Sequence, residues 1–123
     1  MPFRKLIVYK KGFNQAMMIY EISKSFPKNE MYSLTDQIRR SSRSVCANIS
    51  EAYRKRKYPN HFISKLTDSD AENSETLNWL EFAYACKYIT LETKTEIEEM
   101  NAEIGKLISY MIDNPDKFVN FTS

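Results

Sequence analysis

The sequence is poor in the residues that interrupt helices: two glycines and four prolines in 123 positions. Sheet proteins spend more residues on turns, so this scarcity points to an all-helical chain. Cysteine is equally sparse. Cys46 and Cys86 lie far apart with no CxxC spacing and no histidine beside them, which excludes a disulfide framework or a zinc site and leaves two reduced, mostly buried thiols as the expectation. The single histidine, His61, removes most histidine-based catalysis and is read as solvated or cap-associated. It also removes the Glu-x-x-His pairs that carboxylate-bridged di-metal bundles require, so Asp68, Asp70, Glu72 and Glu75 are not read as a metal centre. No run approaches 18 apolar residues. The opening MPFRKLIVYKKGF has a charge inside its short apolar run and no small-residue cleavage site. A cytoplasmic protein with no membrane partner, no cofactor and no enzymatic activity is therefore expected.

What is present is an ordinary globular composition, 42% apolar and 28% charged, at a length that fits one domain with a single core. The net charge is only +2, yet it is unevenly spread. Residues 1–65 hold 14 basic and 4 acidic side chains (+10), and residues 66–123 hold 4 basic and 12 acidic ones (−8). Such polarity either binds a polyanion through the basic half or joins subunits, basic half against acidic half.

Four helical segments are predicted, over 4–24, 34–57, 61–88 and 91–113, with a loose tail over 114–123. In the first, Leu6, Tyr9, Phe13, Met17 and Tyr20 recur at helical steps and form the expected core stripe. Phe26-Pro27 ends it. Ser33 offers an N-cap with Asp36 three residues on, and the row Leu34, Ile38, Ser42, Val45, Ile49, Ala52, Tyr53 follows. The second helix stops near Tyr58-Pro59, Asn60 is placed to cap the third, and Thr90 to cap the fourth. The third carries Phe62, Leu66, Leu77, Leu80 and Tyr84; the fourth carries Ile97, Met100, Ile104, Leu107, Ile108 and Met111 and stops at Asn114-Pro115. Short breaks force antiparallel neighbours, so the predicted fold is an up-down-up-down antiparallel four-helix bundle in a single domain. One stretch resists that pattern. TDSDAENSET, residues 67–76, has Ala71 as its sole apolar residue, so a helix there needs polar partners.

Folding the second and third helices back about Pro59 sets Arg43 opposite Glu75, and Arg39 and Arg40 near Asn78 and Trp79. Arg43 and Glu75 are thus expected to form a structural ion pair, a guanidinium fork on a carboxylate. Ser41, Ser42, Ser44 and Ala47 are read as small residues that admit a neighbouring helix, since no base stands near enough to activate a serine. The acidic run EIEEMNAE is read as a solvated or subunit-facing surface. Arg54, Lys55, Arg56 and Lys57 close the second helix. They are either a solvated helix end, favoured by the helix dipole, or, with Arg39, Arg40, Lys10, Lys11 and the neighbouring Tyr53 and Tyr58, a surface that tracks a phosphate backbone. No base-reading motif is present, so such binding would be sequence-tolerant and salt-sensitive.

The order FRKLIVYKKGF, then IYEISKSFPKNEMYSLTDQIRRSSRSVCANISEAYRK, then HFISKL and SETLNWLEFAYACKYI, resembles the bacterial four-helix-bundle proteins named for reading frames in 23S rRNA intervening sequences, the S23 ribosomal protein-like family. The likeness spans roughly residues 3–112 and rests on a long ordered set, FP-x-x-E-x-Y-x-L-x-x-Q-x-R-R, then N-I-x-E, then E-T-x-x-W-L. It implies a cytosolic bundle that assembles into a homo-oligomeric ring, a pentamer, as in the related accessory proteins of diversity-generating retroelements, which bind RNA or DNA and a reverse transcriptase through basic surface. It implies packing and assembly roles for Arg39, Arg40, Asn48, Glu51 and Glu75. Where the family often has glycine after its second-helix motif, this chain has Ala52-Tyr53, so that helix is expected to run further.

Overall fold

Proline sets three of the helix limits in the computed structural model, which describes residues 3–119. A 3₁₀ turn, Phe3–Lys5, leads into α1, Ile7–Ser23; a second 3₁₀ turn, Lys28–Glu30, begins directly after Pro27. Helix α2 is Leu34–Arg54, α3 is Pro59–Ala85, α4 is Leu91–Asp113, and a short α5, Asp116–Val119, follows Pro115. The chain is an all-α, four-helix bundle. Each long helix packs chiefly against two others, α1 on α2 and α4, and α3 on α2 and α4.

The helix ends differ in detail from the sequence reading. Ser33 caps nothing through its side chain; its Oγ instead donates to Glu30 Oε1 at 2.7 Å. Pro59 takes the first turn of α3, where a missing N–H costs nothing, so Asn60 lies inside the helix and is not its cap. Thr90 does cap α4, accepting from the Thr93 N–H at 3.1 Å. Helix α2 stops at Arg54, leaving Lys55–Lys57 in the turn. The tail predicted over 114–123 contains α5, and its last four positions lie outside the described residues. After α3, Lys87 adopts φ 64°, with its N–H on Tyr84 O and the Tyr88 N–H on Ala83 O, both 2.9 Å. That is a Schellman ending with lysine where glycine is usual.

The α2 row predicted as core is buried throughout, from Leu34 to Tyr53. The α1 stripe is not. The buried face of α1 is Val8, Gly12, Gln15, Ala16, Ile19 and Ser23, while Phe13 is 49% exposed and Met17 44%. The reason is close approach: a Cβ on Gly12 would stand 3.2 Å from Cys46 Sγ and 3.5 Å from Val45 Cγ1, so α1 meets α2 along its small residues rather than its large ones. Tyr84 is likewise exposed, and Met100 only half-buried, while Met111 is buried.

The polar middle of α3 turns inward. Ser69, Asn73 and Thr76 are buried, and so are Gln15 of α1, Ser41 of α2 and Asn101 of α4. Gln15 Nε2 donates to Asn73 Oδ1 at 3.3 Å, and Asn101 Nδ2 donates to Gln15 Oε1 at 2.9 Å. Thr76 Oγ1 donates to Ser41 Oγ at 2.9 Å, and Ser69 Oγ to the Val45 carbonyl at 2.8 Å. These contacts satisfy groups that would otherwise cost free energy to bury. Apolar side chains gather in two clusters, one around Ile49, Phe62 and Ile104, the other around Ile19, Ile38 and Ile97.

Candidate nucleic-acid interface

Antiparallel packing brings the start of α1 beside the end of α2. Leu6 and Val8 share a cluster with Ile49, Ala52 and Tyr53, so Lys10 and the cations from Arg54 to Lys57 belong to the same end of the bundle. Arg54, Lys55 and Lys57 are exposed there, and so are Lys10 and Tyr58. Because the helix ends at Arg54, these cations fan around a turn and do not line one helical face. Arg56 lies over the Tyr53 ring, 4.2 Å from its centroid, and donates to the Tyr53 carbonyl at 2.9 Å. Tyr53 itself is buried, so it offers no ring to a ligand.

The remaining cations named from sequence serve different neighbours. Lys11 Nζ pairs with Glu103 of α4 at 2.6 Å. Arg40 bridges two carboxylates of α3, Glu72 at 3.1 Å and Glu75 at 2.7 Å. Glu75 is therefore the partner of Arg40, and the expected Arg43–Glu75 pair does not form. The cause is the register of the hairpin, which sets position 40 against 75, and 41 against 76. Glu75 also accepts from Trp79 Nε1 at 3.2 Å. Burial and a hydrogen bond to Glu75 raise the Glu72 carboxyl, while hydrogen bonds from Glu72, Arg40 and Trp79 hold Glu75 below the ordinary carboxylate range.

Arg39 and Arg43 instead gather at one aromatic ring. Arg39 Nε donates to Ser23 Oγ at 2.7 Å, and its guanidinium carbon lies 5.0 Å from the Tyr20 centroid. Arg43 lies 5.7 Å from the same centroid and Lys24 Nζ 4.8 Å. Sequence reading did not foresee this cluster, although Tyr20, Lys24, Arg39 and Arg43 flank one helix hairpin. The other motif residues act within α2 and across to α3. Asn48 Nδ2 donates to the Ser44 carbonyl at 3.0 Å, and Glu51 pairs with Lys65 at 2.9 Å.

Among the described residues, Arg4, Lys10, Arg39, Arg43, Arg54 and Lys57 form no ion pair, whereas Lys11, Arg40 and Lys65 spend their charge on acids. No group of three or more His, Cys, Asp or Glu side chains is arranged to hold a metal among those residues, and no helix of theirs is long and apolar enough to cross a membrane.

A family model of the 23S rRNA-intervening sequence protein matches residues 4–110, which spans α1 through most of α4. The crystal structure of a protein of unknown function from the S23 ribosomal protein family of Bacteroides thetaiotaomicron is 32% identical, covering 92% of this chain and 99% of that one, with a TM-score of 0.79. No curated protein matches the chain. The family match runs through all four long helices and a solved relative shares their arrangement, so the chain belongs to the 23S rRNA-intervening sequence protein family.

Proposed function

We propose that this protein is a non-enzymatic, self-associating helix bundle that binds RNA or DNA without sequence preference through its basic α1–α2 half. The observation that carries the reading is the set of cations on that half, Arg4, Lys10, Arg39, Arg43, Arg54 and Lys57 among them, that form no ion pair among the described residues. A phosphate backbone supplies the missing anions, and releasing its counterions drives association. Base-edge recognition has no counterpart in the cations, which fan around a turn or sit over rings, so affinity is expected to depend on salt and little on sequence.

Fluorescence anisotropy with labelled RNA and DNA over a salt series tests this, with light scattering on the same sample. Affinity should fall steeply with salt while the mass stays at a fixed multiple of 14.5 kDa. Changing Arg54, Lys55, Arg56 and Lys57 together to glutamate should weaken binding and leave the helical signal intact. Absence of binding at low salt would overturn the reading.

A protein-binding adaptor is the competing reading, and the exposed Glu92, Glu96 and Glu99 of α4 favour it, because they form an acidic surface for the basic half of a second copy. In that case salt would split the assembly.

A further inference from the structure

We propose that the α1–α2 face carries a furrow for a single nucleic-acid strand, with phosphates held at its two ends and bases laid on the aromatic rings between. The inference rests on the nucleic-acid reading above and names both the form of the ligand and its track.

Three grooves adjoin on this face. The first, at the start of α2, is lined by Met31, Tyr32, Asp36, Arg39, Arg43 and Ala47 among others. The second lies between α1 and α2 and shares Arg43 and Ala47 with the first; Phe3, Tyr9, Phe13 and Met17 form its other wall. The third shares Tyr9 and Phe13 with the second and ends at Arg4 and Lys10. Along α2 the track runs from Arg39 to Ser50, about 16 Å at 1.5 Å per residue.

The order of chemistry along it is ring, cation, ring, cation, with Tyr32 at the outer end beside Arg39. Arg39 and Arg43 stand at one end and Arg4 and Lys10 at the other, none of them in an ion pair among the described residues. Asp36 is the one carboxylate lining any of these three grooves. Tyr9 stacks on Phe13 at 6.2 Å and meets Phe3 edge-on at 5.1 Å, so the middle is a short aromatic platform. Phe13 is half exposed and Tyr32 is 94% exposed, far more than a bundle needs for its own packing. Guanidinium groups and rings in alternation match the repeating phosphate and base of an unpaired strand, whose bases have open faces. A duplex keeps its base faces stacked inside and would meet only the cations. Arg54 to Lys57 lie outside all three grooves, so the furrow and the basic turn are separable by mutation.

The probes are a short labelled deoxythymidine oligomer and a duplex of the same length, compared by anisotropy against the full chain. The expected result is single-strand binding tighter than duplex binding by roughly ten-fold or more, since each stacked base adds a sequence-tolerant contact. Phe13→Ala with Tyr32→Ala should remove most of that difference, and Arg43→Glu should weaken the strand by a similar factor, with helicity and mass unchanged. The conservative pair Phe13→Tyr and Tyr32→Phe should retain the preference. Equal affinity for strand and duplex, lost only when Arg54 to Lys57 are reversed, would overturn the furrow and leave nucleic-acid binding standing. Failure to bind either probe would remove both. A fall in mass on Phe13→Ala, with strand binding unchanged, would assign the face to a second copy of the chain and overturn the proposal.

Discussion

Asn73 of α3 and Asn101 of α4 each donate to the other's side-chain oxygen, Nδ2 to Oδ1 at 3.1 Å in one direction and 2.9 Å in the other. Each amide also donates to the other residue's backbone carbonyl at 3.0 Å, and Gln15 of α1 closes the set. Reciprocal pairing of this kind holds in one register only, because sliding either helix by a residue separates both partners at once. It joins α3 to α4 at the level where α3 has no apolar side chain to offer.

Asn73→Ala is expected to destabilise the bundle by about 3 kcal/mol, because two buried amides lose partners. Replacing Gln15, Asn73 and Asn101 together by leucine should cost less than that single change, while loosening the helix register. Urea denaturation measures both. An unchanged midpoint for Asn73→Ala would show that the layer contributes nothing to stability.

Glu75→Ala is expected to cost no more than about 1 kcal/mol, because the Arg40 and Glu75 side chains are 46% and 33% exposed. A double-mutant cycle should find coupling between Arg40 and Glu75 and none between Arg43 and Glu75. Coupling in the second pair would return Arg43 to the role assigned from sequence.

The contact between Glu30 and Tyr88 should shape stability at both ends of the pH range. Tyr88 Oη donates to Glu30 Oε2 at 2.8 Å, and Ser33 donates to the other oxygen. The hydrogen bonds from Ser33 and Tyr88 hold the Glu30 carboxyl below its ordinary 4.5, so its contribution is full above that value and is lost as pH falls through the lowered one. Tyr88 is pushed up to about 12, chiefly by the same hydrogen bond, so its contribution is full below 10.0 and is lost as pH rises through about 12. Tyr88→Phe should remove the alkaline limb and shrink the acid one, which Ser33 still supports, in melting curves recorded across pH, and unchanged limbs would sink the assignment.

The two thiols should separate by reactivity. Burial pushes Cys46 up to about 11, and its side chain packs against Gly12, whereas Cys86 is exposed. At about pH 8, near the ordinary thiol value, one thiol per native chain should react with a disulfide reagent and two in denaturant. Two fast equivalents in the native protein would show that α1 opens away from α2.

Much of the fold could be read from the chain because its punctuation is sparse and unambiguous: Pro27, Pro59 and Pro115 each fall at a boundary, and Thr90 caps as expected. The α2 core row was legible for the same reason that it is buried, since its apolar residues keep one helical face. The burial of α1 was not. Periodicity favours large side chains, and here Val8 and Ile19 share the buried face with Gly12, Gln15 and Ser23, which carry no hydrophobic signal, while Phe13 and Met17 look outward. TDSDAENSET announced a polar partner without naming it, because Gln15 and Asn101 stand far away in sequence and only the fold brings them together. The ion pair was misplaced by one helical turn, from Arg40 to Arg43, since a hairpin's pivot cannot be fixed to the residue from a proline alone. Two rings of the proposed furrow, Tyr9 and Phe13, were hidden by the same misjudged stripe, which counted them as core.

Lys87 keeps a left-handed backbone that glycine would hold without the Cβ clash, a difference of about 1 kcal/mol in an exposed turn. The chain thus holds a reserve of stability that one surface change would release. Lys87→Gly makes a firmer parent in which costly core and furrow variants could be purified folded, and so separates what a residue does from whether the bundle survives without it.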